Sequence, residues 1–316
     1  MARFTLRQLA YFKAIAATGS ISAAAAQEAV SRSALTSALD SLERSLRTQL
    51  FVRQKAHGVI LTPTGERVLE MATVLLHDAD QLEASIEEGH LTGTVAIGCF
   101  SSLGPFVVPA LFDAFAERHP DVKIRAYAEP EDKLMQLLST GEIEIAIGYN
   151  MHLDRSLTSV PLYETRMHVI LSSGHQLAER PVVVAQDLAD EPLILLDTPP
   201  SPDYVTAYFR DLGIVPYIKH RFSSYEVIRS LVARGHGYSL YIQQPTSSLS
   251  YEGLKLVAKP LAPAPRSEQV SASWPVGRHL SSNARAALEM LTAHAERIRP
   301  RDLYGIVQGA DDAEYP

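Results

Sequence analysis

A single cysteine, Cys99, occurs among 316 residues. That excludes an intramolecular disulfide framework and suits a reducing cytoplasm. The expected role of this thiol is packing, as a small buried hydrophobe at a strand end. No apolar run reaches the ~20 residues needed to span a bilayer, so no membrane partner is expected. The opening MARFTLRQLAYF lacks the uninterrupted apolar centre of a secretory signal. A Gly-x-Ser-x-Gly elbow, a His-Glu-x-x-His helix and a Gly-x-x-x-x-Gly-Lys-Ser/Thr loop are all missing. One cysteine leaves no zinc cluster. Gly235-His236-Gly237 precedes an apolar run instead of opening a helix after one, so it is not a dinucleotide loop. No catalytic residue, metal or cofactor is expected.

What is present is organised by charge. The net charge of −7 conceals a basic head, because residues 1–62 hold eight Lys/Arg against three Asp/Glu. The remainder holds 21 against 33. A basic head on an acidic body suggests that the head meets a polyanion. The length fits more than one domain, and 46% hydrophobic content is enough to bury a core.

Residues 20–44, SISAAAAQEAVSRSALTSALDSLER, read as a short helix, a tight turn and a second helix. Ser20 and Ser31 stand where N-caps belong. Leu35, Ala38, Leu39 and Leu42 form the apolar face of the second helix. Ser33, Ser37, Asp40 and Arg44 lie opposite, with Thr36 on the flank. Short polar side chains on that face allow close approach to another surface, as when a recognition helix enters the major groove. The plainer alternative is a helical hairpin with a solvated face.

Upstream, Thr5-Leu6-Arg7-Gln8 matches a capping box, and the first helix should run to about Thr18 and stop at Gly19. Downstream, residues 49–53 and 59–62 read as a hairpin around Lys55-Ala56-His57-Gly58. Three helices and a hairpin make a winged helix-turn-helix, with Arg53, Lys55 and His57 where a wing would meet phosphates. Residues 62–66, TPTGE, signal a helix start, and a long helix should cover residues 64–88. Its Val68, Ala72, Leu75, Ala79, Leu82 and Ile86 form a 4, 3, 4, 3, 4 seam suited to pairing with a second copy.

Beyond Gly89 the pattern changes to α/β. Strands are expected at 94–100, 122–127 and 143–147, with helices between them, so the sheet should be parallel. Val107, Leu111, Phe112 and Phe115 should be the buried stripe of the first of those helices. A second round begins at residues 167–171, continues through 193–196, 217–222 and 238–242, and closes with a helix over 284–299. Two such lobes place a crevice between strand ends, where ligands bind. Ser101-Ser102 and Phe222-Ser223-Ser224 each end a strand and begin a helix. Hydroxyls and free N–H groups there would favour a small anionic organic molecule; the alternative is that these serines only cap their helices. Tyr149, Thr198 and Pro199 are further rim candidates. Residues 301–316 show no periodicity and are expected to be a mobile tail.

The ordered motifs resemble the LysR-type transcriptional regulators over nearly the whole chain. They are Leu6-Arg7-Gln8-Leu9 with Phe12, Gly19-Ser20-Ile21-Ser22-Ala23-Ala24-Ala25, Val30-Ser31-Arg32-Ser33-Ala34-Leu35-Thr36, Leu42-Glu43, Leu50-Phe51-Val52-Arg53 and Leu61-Thr62-Pro63-Thr64-Gly65-Glu66. Residues 138–147 and 231–237 look like the family's effector domain. The resemblance implies a winged helix-turn-helix over 1–62, a dimerising linker helix over 63–90 and a two-lobed, periplasmic-binding-protein-like (type 2) effector domain over 91–300. It also implies a cytoplasmic homotetramer that reads an inverted repeat in double-stranded DNA, with RNA polymerase as a further partner. By position it assigns DNA contacts to Arg32, Ser33, Thr36, Ser37 and Arg53. Effector contacts fall to Ser101, Ser102, the turn at Thr198-Pro199, and Phe222, Ser223 and Ser224. The family commonly has Gln-Pro at Arg32-Ser33, Ser-Arg at Thr36-Ser37 and leucine at Glu28, so the operator sequence stays open. Two other functions remain to be weighed: a small-molecule-binding module whose helical head serves assembly, and an enzyme on a doubly wound fold.

Overall fold

The computed structural model describes residues 3–54, 58–84, 91–300 and 303–304. Lys55, His57, Ile86, the side chains of Arg53 and Leu82, and the tail beyond 304 lie outside the described residues.

The head forms as its caps dictate. α1 (Leu6–Thr18) opens on the expected capping box, in which Gln8 N donates to Thr5 Oγ1 at 3.3 Å and Thr5 N donates to Gln8 Oε1 at 2.8 Å. α2 (Ile21–Gln27) and α3 (Arg32–Leu46) are N-capped by Ser20 and Ser31. Leu9, Phe12 and Ile15 of α1, Ala24 and Ala25 of α2, and Leu35, Leu39 and Leu42 of α3 close one core with Leu50. β1 (Phe51–Gln54) and β2 (Gly58–Leu61) pair antiparallel as the wing. Val59 N donates to Gly19 O at 3.0 Å, which laces the wing to the end of α1. A Cβ on Gly58 would come within 2.3 Å of that same carbonyl.

The joint to the linker is equally tight. α4 (Pro63–Ala84) starts with proline in the first helical position, where its missing N–H costs nothing. Thr62 Oγ1 accepts from Gly65 N at 2.9 Å and donates to Gln49 O at 2.8 Å, while Thr62 N donates to Leu50 O. Val68 and Ala72 pack into the head core, and Leu75 is left 44% exposed. The first two positions of the expected pairing seam therefore serve the chain's own head. They do so because α4 crosses α1 before leaving the domain.

Lobe I is a five-stranded sheet in the order β4-β3-β5-β14-β6. β3 (Gly93–Phe100) lies parallel to β4 (Val122–Glu129) and β5 (Ile145–Tyr149), with α5 (Gly104–Arg118) and α6 (Glu131–Thr140) as crossovers. Val107, Leu111 and Phe115 are buried as expected, whereas Phe112 is 46% exposed. Nor do Ser101 and Ser102 cap α5. They lie in a turn before Leu103, which precedes the helix and makes no side-chain cap bond. Sequence periodicity missed β6 (Leu157–Arg166), which pairs antiparallel with β14 (Ser267–Pro275) along its whole length.

Lobe II lies between those two strands in the chain. β7 (His168–Ser172) is flanked by β11 (Ser239–Tyr241) and β12 (Leu256–Lys259). β8 (Val183–Val184) pairs with β13 (Leu261–Ala262), and β9 (Leu193–Leu196) runs parallel to β10 (Ile218–Phe222). Helices α7 (Ser201–Asp211) and α8 (Tyr225–Ala233) pack on these strands. The chain then returns through β14 to α9 (Ser282–Ala293) and α10 (Ala295–Ile298) on lobe I.

A Cβ at Gly65 would stand 2.1 Å from Leu50 O, an atom already fixed by the Thr62 N–H. Gly65→Ala is therefore expected to destabilise the head by about 2 kcal/mol, as overpacking against immobile backbone does. A chemical-denaturation midpoint unchanged from the parent protein would contradict this.

Candidate DNA-reading face and ligand crevice

In the head, α3 presents its polar side outward. Ser31, Arg32, Ser33, Ser37 and Asp40 are exposed, and Thr36 is half-buried. Ser31 Oγ accepts from Ala34 N and lies 3.1 Å from Ser33 Oγ. Thr36 Oγ1 donates back to Arg32 O at 2.9 Å. These hydroxyls keep their other lone pairs toward solvent. Arg32, Ser33, Thr36, Ser37 and Asp40 line one open concavity that continues through Arg44 and Arg47 to Gln49. Arg32, Arg44 and Arg47 outnumber Asp40 and Glu43 along it, so the concavity carries net positive charge, with Arg47 as the member that the sequence pattern does not single out. A cation on either side of short hydroxyls is the pattern that holds phosphates while leaving room for base edges.

In the α/β part, the ends of β3 and β5 face lobe II across a closed crevice. Its cavity has a volume of about 30 Å³ and includes Ser102 and Tyr149 among its walls. Ser102 Oγ and Tyr149 Oη lie 3.0 Å apart, and the Tyr149 ring meets Phe100 edge-on at 5.6 Å. Tyr225 stacks on Tyr241 at 4.0 Å opposite them. Burial pushes the phenols of Tyr149, Tyr225 and Tyr241 above their ordinary range, so all three are neutral donors at pH 7.

The remaining expected residues do not line this cavity. Ser101 spends its N–H on Glu129 O at 3.1 Å, so its backbone offers no free donor. Thr198 is buried with its hydroxyl directed at Ser223 O. Pro199, Phe222, Ser223 and Ser224 are exposed, and Ser224 Oγ accepts from Val227 N as the cap of α8. β9 and β10 run parallel, so the turns after them meet each other, and α7 and α8 supply the crevice wall through Ser201, Tyr204 and Tyr225. Among the described residues, no arginine, lysine or histidine lines the cavity. The anionic character expected for the ligand has no cationic partner there.

A helix-turn-helix joined by one helix to a two-lobed ligand crevice defines an effector-controlled DNA-binding regulator. Residues 6–66 match the family description "Bacterial regulatory helix-turn-helix protein, lysR family", and residues 88–296 match "LysR substrate binding domain". The chain belongs to the LysR family of transcriptional regulators. It is 32% identical to HinK of Pseudomonas aeruginosa, a LysR family transcriptional regulator, over 94% of this chain and 100% of that one, with a TM-score of 0.63. A full-length OxyR variant from P. aeruginosa aligns over 95% of this chain and 96% of its own, at 25% identity and a TM-score of 0.74. The regulator BenM of Acinetobacter baylyi is 27% identical over 81% of this chain and 85% of BenM. These relatives are regulators, which sets aside the enzyme and the assembly module. Among the described residues no helix is long and apolar enough to cross a membrane, and no cluster of His, Cys, Asp or Glu could hold a metal ion.

Because Ser37 is exposed on α3, Ser37→Glu should leave thermal stability within roughly 0.5 kcal/mol of the parent. It should nevertheless reduce operator affinity at least about 100-fold by placing a carboxylate against phosphate oxygens. Fluorescence anisotropy with labelled operator DNA checks this, and undiminished binding would show that this face does not enter DNA.

Proposed function

We propose that residues 1–62 read double-stranded DNA through Arg32, Ser33, Thr36 and Ser37, with Ser31 and Asp40 at the margins and Arg53 and Lys55 on the wing. The observation that carries this reading is the exposed hydroxyl face of α3 between arginines, set on a head of net positive charge. Residues 63–90 form the linker through which two copies pair, and pairing of dimers gives a homotetramer on an inverted-repeat promoter site. RNA polymerase is the downstream partner, and the cytoplasm, where the DNA lies, is the place of action. Residues 91–300 bind a small effector between the lobes, with Ser102 and Tyr149 at the centre of the site.

A bound molecule, not thiol oxidation, is the signal. Some relatives are named hydrogen peroxide-inducible genes activators, one of them from Mycobacterium avium. Here Cys99 is 1% exposed, and burial pushes its thiol up to about 12. It is protonated at neutral pH and has no second cysteine in the chain to pair with.

The experiment is a promoter fragment carrying an inverted repeat, titrated with the full chain. Affinity should depend on the repeat and fall roughly 10³-fold between 50 and 200 mM salt, the loss for about six phosphate contacts. Binding indifferent to sequence and salt would overturn the reading. For the linker, Leu75→Glu places a charge in the exposed part of the seam and should shift the oligomer to smaller species in light scattering. An unchanged mass would mean that the seam is not the pairing surface.

A further inference from the structure

The crevice holds more chemical information than its size suggests. Its faces are aromatic slabs, Phe100 with Tyr149 on one side and Tyr225 on Tyr241 on the other. Among the polar groups between them is Gln243, which is 1% exposed. Its Nε2 donates to Tyr163 Oη at 2.8 Å, the Tyr149 phenol lies within hydrogen-bond reach of the same amide, and its buried Oε1 accepts no hydrogen bond. A buried carbonyl oxygen without a donor is costly, and a ligand that supplies one recovers that cost on binding.

Charge argues in the same direction. Among the described residues no arginine, lysine or histidine lines the crevice itself, and the guanidinium groups nearest to it, Arg229 and the Arg266 of the adjoining hinge cavity, are engaged. Arg229 binds Glu226 at 2.8 Å and the carbonyls of Ser247 and Leu249 at 3.2 and 2.7 Å. Arg266 holds Glu268 at 2.9 Å and lies 5.3 Å over the Tyr204 ring. Burial, first of all, pushes the Tyr204 phenol up; Glu268 and Glu131 add to that, and the Asn150 hydrogen bond and Arg266 oppose it. A carboxylate entering here would lose its hydration and gain no countercharge.

The room for a ligand comes from Tyr204. A second cavity of about 200 Å³ at the hinge shares Met167, Tyr204 and Ile242 with the crevice. Met167, Tyr204 and Ile242 thus form the partition between the two, and Tyr204 is the aromatic member. Asn150 Nδ2 donates to its hydroxyl at 3.2 Å.

Building on the reading that the interlobe crevice is the effector site, we infer that the effector is an uncharged, planar molecule carrying an N–H or O–H donor for Gln243 Oε1, admitted when Tyr204 swings aside. Three benzoyl probes separate charge from donor capacity. Benzamide is neutral with a donor, methyl benzoate is neutral without one, and benzoate is an anion. Calorimetric titration of the full-length protein should rank benzamide at least roughly tenfold tighter than either of the others, the effect of satisfying one buried acceptor. Gln243→Met keeps the volume and removes the acceptor, so it should bring benzamide level with methyl benzoate. The ranking in the unmutated protein tests the inference even if that variant misfolds. Benzoate binding as tightly as benzamide, a preference untouched by Gln243→Met, or no binding of any probe at millimolar concentration would each overturn it. The last result is also what a cavity that only stores a water would give. Co-crystals distinguish the two levels of failure. Benzoate seated beside Gln243 refutes the neutral donor and keeps the crevice, whereas a probe bound only elsewhere refutes both.

Discussion

The pairing of β6 with β14 is the constraint on which the effector domain depends. The two strands run antiparallel from Leu157 opposite Pro275 to Arg166 opposite Ser267. Lobe II is inserted between their far ends, so both passages of the chain between the lobes leave from one hydrogen-bonded ribbon. Such a ribbon resists sliding, because every ladder bond would break together, but it can bend and twist. The lobes are therefore joined by a hinge. The crevice lies beside that hinge, where Tyr163 of β6 meets Gln243 of lobe II at 2.8 Å. Tyr304 adds a clasp outside it, donating to Met167 O at 2.6 Å and accepting from Leu261 N at 3.0 Å.

The head obeys a different logic. Its core is small, and its rigidity comes from backbone groups tied at short range: the Ser20 and Ser31 caps, Glu43 Oε1 accepting from Leu50 N, and the wing bonded to Gly19 O. These ties hold α3 at a fixed angle to the wing. The hydroxyls on the exposed side of α3, Ser33 and Ser37, take no part in these ties.

Legibility from sequence followed the range of the forces involved. Capping boxes, glycine stops and apolar periodicity act over three or four residues, so α1, α2, α3 and α8 could be read with their caps. β6 was missed because Pro161 interrupts its pattern and only some of its alternate residues are buried. Its partner β14, more than a hundred residues away, accepts the proline beside an irregularity in register between Val270 and Ser271. The linker seam was legible as a seam, yet which surface covers each position depends on how α4 crosses α1. At the crevice, Ser102 and Tyr149 were recognisable as strand-end residues. Gln243 and Tyr204 were not, because one follows an ordinary strand and the other sits within a helix, and only the closing of two lobes sets them against Ser102 and Tyr149. The same closure leaves Ser223 and Ser224 outside.

Gly141, which ends α6 at a φ of 71°, sits where α4 passes, and a Cβ there would stand 3.3 Å from Val74 Cγ2. At its other end α6 begins with Glu131, whose charge is felt by Tyr204 at the crevice wall. Ten residues make a rod about 15 Å long. One stiff strut thus runs from beside the crevice wall to the helix that carries the winged head. A tilt at one end of such a lever becomes a displacement at the other, without any change in the packing between.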